Sequence, residues 1–162
     1  MIVTERLILR VPKASDLADI HQIFCDDEAM AYWSRPAHRS IEETRAWLQP
    51  ILDDPAASPF DYFIDLNGTI VGKLGSWELP KIGYAVARAY WGRGIAEEAL
   101  RGFIAHMREA KVCDHLFADV DPRNARSIHL LQKFGFQLAG QEKNSIHTHM
   151  GWCDSNYYTL SL

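Results

Sequence analysis

The stretch from residue 81 to residue 121 restricts the fold more than any other part of the chain. "KIGYAVA" at 81–87 and "HLFADVD" at 115–121 have the apolar, β-prone composition of short strands. Between them, apolar residues recur at helical spacing over 95–110. A strand, a helix and a strand in this order predict two parallel strands joined by a crossover helix.

Further elements are predicted on the N-terminal side of this unit. "ERLILRVP" predicts a strand over 4–11, and Ser15 is predicted to cap the helix that follows. A second helix is predicted to begin after Ser40, with Glu43 completing a capping box. Asn67-Gly68 separates two apolar runs and predicts a tight hairpin whose second strand covers 70–79.

Elements on the C-terminal side complete the prediction. Asn124 is predicted to cap a helix closed by Gly135, and two final strands flank a turn at 149–151. The resulting order is β-α-α-β-β-β-α-β-α-β-β. We therefore predict an α/β (α+β) fold with a mixed, mostly antiparallel sheet in a single domain, 1–162.

Composition excludes several classes of function. The net charge is −4, which argues against general binding to nucleic acid or to an anionic membrane. No apolar run approaches the roughly 18 residues of a membrane span. Three widely spaced cysteines form no CxxC pair, which favours reduced thiols and a cytoplasmic location.

The segment "YWGRGIAEEAL" at 90–100 places two glycines directly before a helix. The first N–H groups of a helix lack partners and carry the positive end of its dipole, so this turn is a candidate anion site. The alternative is a turn that needs glycine only for its backbone angles. Glu97 stands where a dinucleotide fingerprint has a third glycine, and Leu74 follows Gly72-Lys73 where a Walker loop has serine or threonine.

The wider segment "IGYAVARAYWGRGIAEEAL" resembles motif A of the GNAT superfamily of acetyl-CoA-dependent N-acetyltransferases. Gly92 and Gly94 match the Gln/Arg-x-x-Gly-x-Gly/Ala pattern, whereas Ala89 departs from its leading position. The ribosomal-protein alanine N-acetyltransferase branch tolerates that departure. "TERLILR", "SIEETRAWL", "VDPRNARSIHLLQKFGF" and "GWCDSNYYTL" are similar to further segments of that branch, in the same order.

This resemblance implies a sheet splayed open between the strands at 81–87 and 115–121, with acetyl-CoA in the gap. It implies that the pantetheine arm pairs with backbone near Val86 and that the pyrophosphate lies on N–H groups from Gly92 to Ala96. Asn124 would contact the pantetheine or the thioester end. The implied cofactor-binding residues are Val86, Trp91, Gly92, Arg93, Gly94, Ile95, Ala96 and Asn124.

Three residues are candidates for proton transfer. Glu78, at the end of a predicted strand, is the first candidate base; Asp119 is the second. Ser127 matches the serine of the Asn-x-x-Ser segment and is a candidate acid. Each has a structural alternative: a strand-end carboxylate for Glu78, an ion pair for Asp119 and a helix cap for Ser127.

The acceptor side carries weaker signals. Tyr32 and Trp33 are candidate substrate-binding residues, because the first two helices cover the acceptor in this family, although aromatics at such positions also form cores. His147 and His149 lack a third ligand at metal-site spacing, so we predict no metal.

The resemblance implies an N-acetyltransferase that moves acetyl directly from acetyl-CoA to a primary amine in a ternary complex. The amine would belong to a protein N-terminus or a small molecule, and a homodimer is compatible with the sequence. The alternative is a non-catalytic module of the same fold that binds CoA as a sensor or interacts with a partner.

Overall fold

The computed structural model describes residues 1–162 and contains one eight-stranded sheet with four α-helices. The strands lie side by side in the order β1-β2-β3-β4-β5-β6-β8-β7. The strands are β1 (Ile2–Val3), β2 (Ile8–Arg10), β3 (Phe60–Leu66), β4 (Thr69–Glu78), β5 (Lys81–Val86), β6 (His115–Val120), β7 (Gln137–Thr148) and β8 (Gly151–Ser161). The helices are α1 (Leu17–Phe24), α2 (Ile41–Asp53), α3 (Ile95–Ala110) and α4 (Ala125–Lys133).

The parallel pair β5–β6 interrupts an otherwise antiparallel sheet. The two strands pair only where Lys81 lies opposite Phe117, and the Phe117 N–H donates to the Pro80 carbonyl at 2.9 Å. Beyond this point their backbones form no further pairs, so the sheet opens toward the carboxyl ends of both strands. The prediction of a mixed, splayed sheet is confirmed.

Helices cover the two faces of the sheet unequally. On one face, α3 and α4 bury a large core that includes Phe103, Leu116 and Leu131. On the other face, α1 and α2 pack a smaller cluster around Phe63. Because side chains alternate along β5, Ile82 points to the α3 side and Ala85 to the α1–α2 side.

Much of the cap and turn chemistry expected at element ends is present, but the predicted capping box of α2 is incomplete, because the Glu43 carboxylate accepts from the Arg39 N–H at 2.8 Å and not from the Ser40 N–H. The Ser40 hydroxyl accepts from the Glu43 N–H at 3.3 Å, and the Asn124 side chain accepts from the Ser127 N–H at 3.2 Å. Asn67 and Gly68 both have positive φ, at 53° and 88°, as the hairpin between β3 and β4 requires.

The N-terminal predictions were partly wrong. The single strand expected over 4–11 is two short strands, because Thr4 turns the chain and its N–H donates to the Leu7 carbonyl. Ser15 does not cap α1, which begins at Leu17. The carboxylate of Asp16 instead accepts from the Lys13 N–H at 2.7 Å and from the Arg10 guanidinium at 2.8 Å.

None of the four helices has the length and apolar composition needed to cross a membrane.

Candidate active site

The divergence of β5 from β6 opens a cleft of about 940 Å³. Its walls are β5, the carboxyl half of β6, the N-terminal parts of α3 and α4, the loop after α1, and the β7–β8 hairpin. This volume is within the usual range for small-molecule sites. Most of the residues singled out in the sequence line it: Tyr32, Trp33, Val86, Trp91, Gly92, Gly94, Ile95, Ala96, Asp119, Asn124 and Ser127.

The N-terminus of α3 forms one end of the cleft. Gly92 and Gly94 have φ values of +73° and +75°, a backbone conformation that side-chain-bearing residues rarely adopt. No side chain caps the helix, so its first N–H groups remain available to a ligand. The turn combines uncapped donors with the positive end of a 16-residue helix, which is an anion-binding arrangement.

The two glutamates in the first turn of α3 are both held in ion pairs. Glu98 bonds to the Thr4 hydroxyl at 2.6 Å and pairs with the Arg6 guanidinium at 2.6 Å. Glu97 pairs with Lys133 at 2.7 Å and with Arg101 at 2.9 Å. These cations offset the carboxylate charges, so the positive potential at the helix N-terminus is largely preserved.

Arg93 is placed differently from its glycine neighbours. Its guanidinium lies 5.3 Å from the centroid of the Tyr90 ring, and it is not among the residues that line the cleft. Its carbonyl oxygen accepts from the Arg6 guanidinium at 3.1 Å. In this position Arg93 anchors the turn to the N-terminal segment.

Val86 and Trp91 are joined at the mouth of the cleft. The Ala87 N–H donates to Val71 on β4, so the Val86 carbonyl, on the opposite side of that peptide, points toward the gap. The Trp91 indole N–H donates to this carbonyl at 2.7 Å. A guanidinium that sequence reasoning missed, that of Arg126, lies 4.5 Å from the centroid of the Trp91 ring.

Ser127 forms a hydroxyl pair with Tyr84. The Ser127 Oγ and the Tyr84 hydroxyl are 2.7 Å apart, and burial raises the pKa of Tyr84 to about 12. Tyr84 was missed in the sequence, although alternation along 81–87 places it on the same face as Ile82 and Val86. Its proximity to Ser127 joins residues 43 positions apart and has no local signal.

Asp119 and Glu78 occupy unlike positions. Asp119 lies on β6 facing away from the α3 side, and its carboxylate opens into the cleft. Asp119 keeps solvent exposure at the cleft, yet partial desolvation there raises its pKa; the Ser155 hydroxyl opposes that shift, and the carboxylates of Glu142 and Asp121 add to it. Glu78 does not line the cleft; its side chain is 70% exposed and lies 3.6 Å from the Lys81 ammonium.

The acceptor side of the cleft has an apolar rim. The Tyr32 hydroxyl donates to the Arg123 carbonyl at 3.3 Å. This hydrogen bond connects the loop after α1 to the segment that precedes α4. Trp77, Ile146 and Met150 also line the cleft, and all three remain substantially exposed, Trp77 by 53%. Sequence reasoning did not select these three, because exposed apolar residues on two separate strands and a hairpin turn share no motif.

The histidine pair is not arranged as a metal site. The His147 ring packs edge-on against Trp152, with ring centroids 5.3 Å apart. No group of three or more histidine, cysteine or carboxylate side chains is positioned to hold a metal ion.

Comparisons with known proteins agree with this architecture. The protein-family model described as the acetyltransferase (GNAT) domain matches residues 6–137 of this chain. An uncharacterized N-acetyltransferase, p20, from Bacillus licheniformis is 28% identical over 146 residues, covering 85% of this chain and 82% of p20.

Two solved structures share the fold. A GNAT-family acetyltransferase from Bacillus anthracis superposes with a TM-score of 0.87 at 23% identity, over 99% of this chain and 97% of that one. RimL, a ribosomal L7/L12 alpha-N-protein acetyltransferase solved in complex with coenzyme A, gives 0.85 at 22% identity, over 99% and 96%. The chain therefore belongs to the GNAT acetyltransferase family and is an acetyl-CoA-dependent N-acetyltransferase.

Proposed function

We propose that the cleft holds acetyl-CoA with its pyrophosphate on the N-terminus of α3 and its thioester in the gap between β5 and β6. The observation that carries this proposal is the uncapped helix start behind Gly92 and Gly94, placed at the carboxyl ends of splayed parallel strands. RimL, a structural neighbour with the same fold, binds coenzyme A. Asn124 retains a free amide N–H₂ that can donate toward the pantetheine arm.

In this arrangement the base and the acid approach the thioester from opposite faces of the sheet. Asp119 lies on the face of the sheet opposite α3, and the amine acceptor enters from that opposite face. Ser127 and Tyr84 lie on the α3 side. Asp119 takes a proton from the ammonium or from the tetrahedral intermediate, and Ser127 donates a proton to the departing sulfur. The Tyr84 hydroxyl positions the Ser127 Oγ through their hydrogen bond, and Ser127 regains its proton from solvent.

The raised pKa of Asp119 suits a general base, because it brings the carboxylate closer to the working pH. Glu78 remains an alternative base that would act through solvent, since its exposed side chain lies outside the cleft lining. The demand for a base depends on the acceptor. Deprotonation at pH 7 costs about 1–1.5 kcal/mol for an N-terminal amine and about 4–5 kcal/mol for a lysine-like amine.

The acceptor side favours an amine attached to an apolar group. Trp77, Ile146 and Met150 offer apolar contact around the entrance, with Tyr32 and Trp33 on the loop opposite. A protein N-terminus with an apolar first residue or a hydrophobic small-molecule amine would bury part of this surface. We propose these two acceptor classes, and RimL acts on a protein α-amine.

The test is release of free CoA from acetyl-CoA, followed with a thiol reagent, across a panel of peptide, hydrophobic and polyamine acceptors. Asp119→Asn is expected to lower kcat/KM about a hundredfold or more, whereas Glu78→Gln, the matched control, stays near the wild-type value. Loss in Glu78→Gln with wild-type rates in Asp119→Asn would reverse the two roles. Binding of acetyl-CoA with no turnover on any acceptor would favour the non-catalytic module.

Two further assignments accompany this proposal. We propose a cytoplasmic location, since all three cysteines are free thiols. We also propose a homodimer, with the outer edge of β7 as the contact, because this 12-residue edge strand pairs with β8 on one side only and leaves Leu138 half exposed. Light scattering of the purified protein tests the dimer; a monomer at micromolar concentration would contradict it.

A further inference from the structure

Three cationic side chains line the cleft, and only one has no carboxylate partner within 4 Å. Lys81 lies 3.6 Å from Glu78, and Arg123 pairs with Asp121 at 2.6 Å. Arg126 forms no ion pair. Its full charge is therefore directed into the cleft and is available to an anionic ligand.

Arg126 is also held in place. Its guanidinium stacks on the Trp91 ring at 4.5 Å from the centroid, and Trp91 is itself fixed by the 2.7 Å bond from its indole N–H to the Val86 carbonyl. Stacking uses the flat face of the guanidinium and leaves the in-plane N–H donors free. The side chain is thus oriented in advance for a planar or tetrahedral oxyanion.

The location of Arg126 has no evident advantage for folding. It is the second residue of α4, where a cation opposes the helix dipole. It is exposed and contributes to neither buried core cluster. Trp91, the residue on which it stacks, immediately precedes Gly92 at the anion-binding turn, and Arg126, Gly92 and Gly94 line the same cleft.

We propose that Arg126 is a phosphate-binding residue of this cleft and that it contacts the pyrophosphate of acetyl-CoA opposite the N-terminus of α3. The Trp91 ring acts as the platform that positions it. This inference rests on the placement of acetyl-CoA proposed above. Arg126 belongs neither to the glycine turn nor to the two residues, Asn124 and Ser127, that match the Asn-x-x-Ser pattern.

The experiment is calorimetric titration of wild type, Arg126→Ala, Arg126→Lys and Arg108→Ala. Arg108 is an exposed arginine in the last turn of α3 and serves as the matched control. The ligands are acetyl-CoA, 3′-dephospho-acetyl-CoA and S-acetylpantetheine, which lacks all phosphates. We expect Arg126→Ala to weaken acetyl-CoA binding about tenfold or more, with Arg126→Lys between it and wild type, since lysine keeps the charge but not the stacking.

The ligand series locates the contact. The loss in Arg126→Ala is expected to persist with 3′-dephospho-acetyl-CoA and to vanish with S-acetylpantetheine. A loss that disappears with the dephospho ligand would overturn the pyrophosphate assignment, and an equal loss with S-acetylpantetheine would overturn any phosphate contact. Wild-type affinity in Arg126→Ala would refute the inference alone, whereas no binding of acetyl-CoA by the wild-type protein would refute the proposed function.

Discussion

The buried ion pair between Lys73 and Asp61 gives the sharpest stability prediction. Their side chains are 5% and 7% exposed, and the Lys73 Nζ lies 2.9 Å from Asp61 Oδ2. The ammonium also lies 5.7 Å from the centroid of the Trp33 ring and 5.5 Å from that of Trp47. The ion pair therefore packs against Trp47 and against Trp33, which lines the acceptor side of the cleft.

Substituting Lys73→Met removes the only partner of a carboxylate whose other oxygen, Oδ1, is buried without a hydrogen bond. Loss of one member of a buried pair costs about 3–5 kcal/mol, because the remaining charge stays desolvated. For a chain of this size each kcal/mol lowers Tm by about 2–4 °C, so we expect a fall of roughly 6–20 °C. The double variant Lys73→Met/Asp61→Leu should recover at least half of the loss, since both charges are then gone.

The assay is urea unfolding followed by circular dichroism, with calorimetric Tm as a second measure. Arg39→Met is the control, because Arg39 and Asp27 form an ion pair with side chains 66% and 72% exposed. Removing such a surface pair should change stability by about 1 kcal/mol or less. A Lys73→Met variant as stable as Arg39→Met, or a double variant no better than the single one, would refute the reasoning.

Three further outcomes follow from the structure. Partial desolvation raises the pKa of Asp119, so its contribution to stability, small because the residue is solvent-exposed, is present below its ordinary pKa and is lost as pH rises through the folded value. Asp119→Asn should therefore melt above wild type at pH 7, with the difference disappearing near pH 3; equal Tm values at pH 7 would contradict this. Ser127→Ala should lower kcat about tenfold, a modest factor because a thiolate leaves readily, and unchanged turnover would remove its role as acid. Ser40→Ala should cost about 1 kcal/mol in urea unfolding through the lost cap, without a change in acetyl-CoA affinity.

Local chemistry made part of the fold predictable. The helix predicted over 95–110 is α3 (Ile95–Ala110), because its glycine turn and its 3.6-residue period both lie within the segment itself. The caps at Ser40 and Asn124 are equally local, each reaching an N–H three residues ahead. Helix boundaries and caps that depend on residues a few positions apart can therefore be predicted from the sequence.

Several of the errors and omissions involve contacts between distant residues. Thr4 bends the N-terminal segment while its hydroxyl bonds Glu98, 94 positions away. The irregular register between Gly75 and Glu78 means that alternation along β4 does not predict where Glu78 points. The stacking of Arg126 on Trp91 likewise joins two elements whose meeting depends on the whole sheet.

Titration of the protein with acetyl-CoA tests the central claim most directly, with Gly92→Asp and Gly94→Asp measured beside it. Gly68→Asp is the matched control, because Gly68 also has a positive φ, at +88°, but lies in the β3–β4 hairpin. Saturable binding by wild type and Gly68→Asp, lost in Gly92→Asp and Gly94→Asp, is the predicted result, since each added carboxylate would repel a phosphate at the α3 N-terminus. Wild-type affinity in both Gly92→Asp and Gly94→Asp would contradict the placement of acetyl-CoA on this turn.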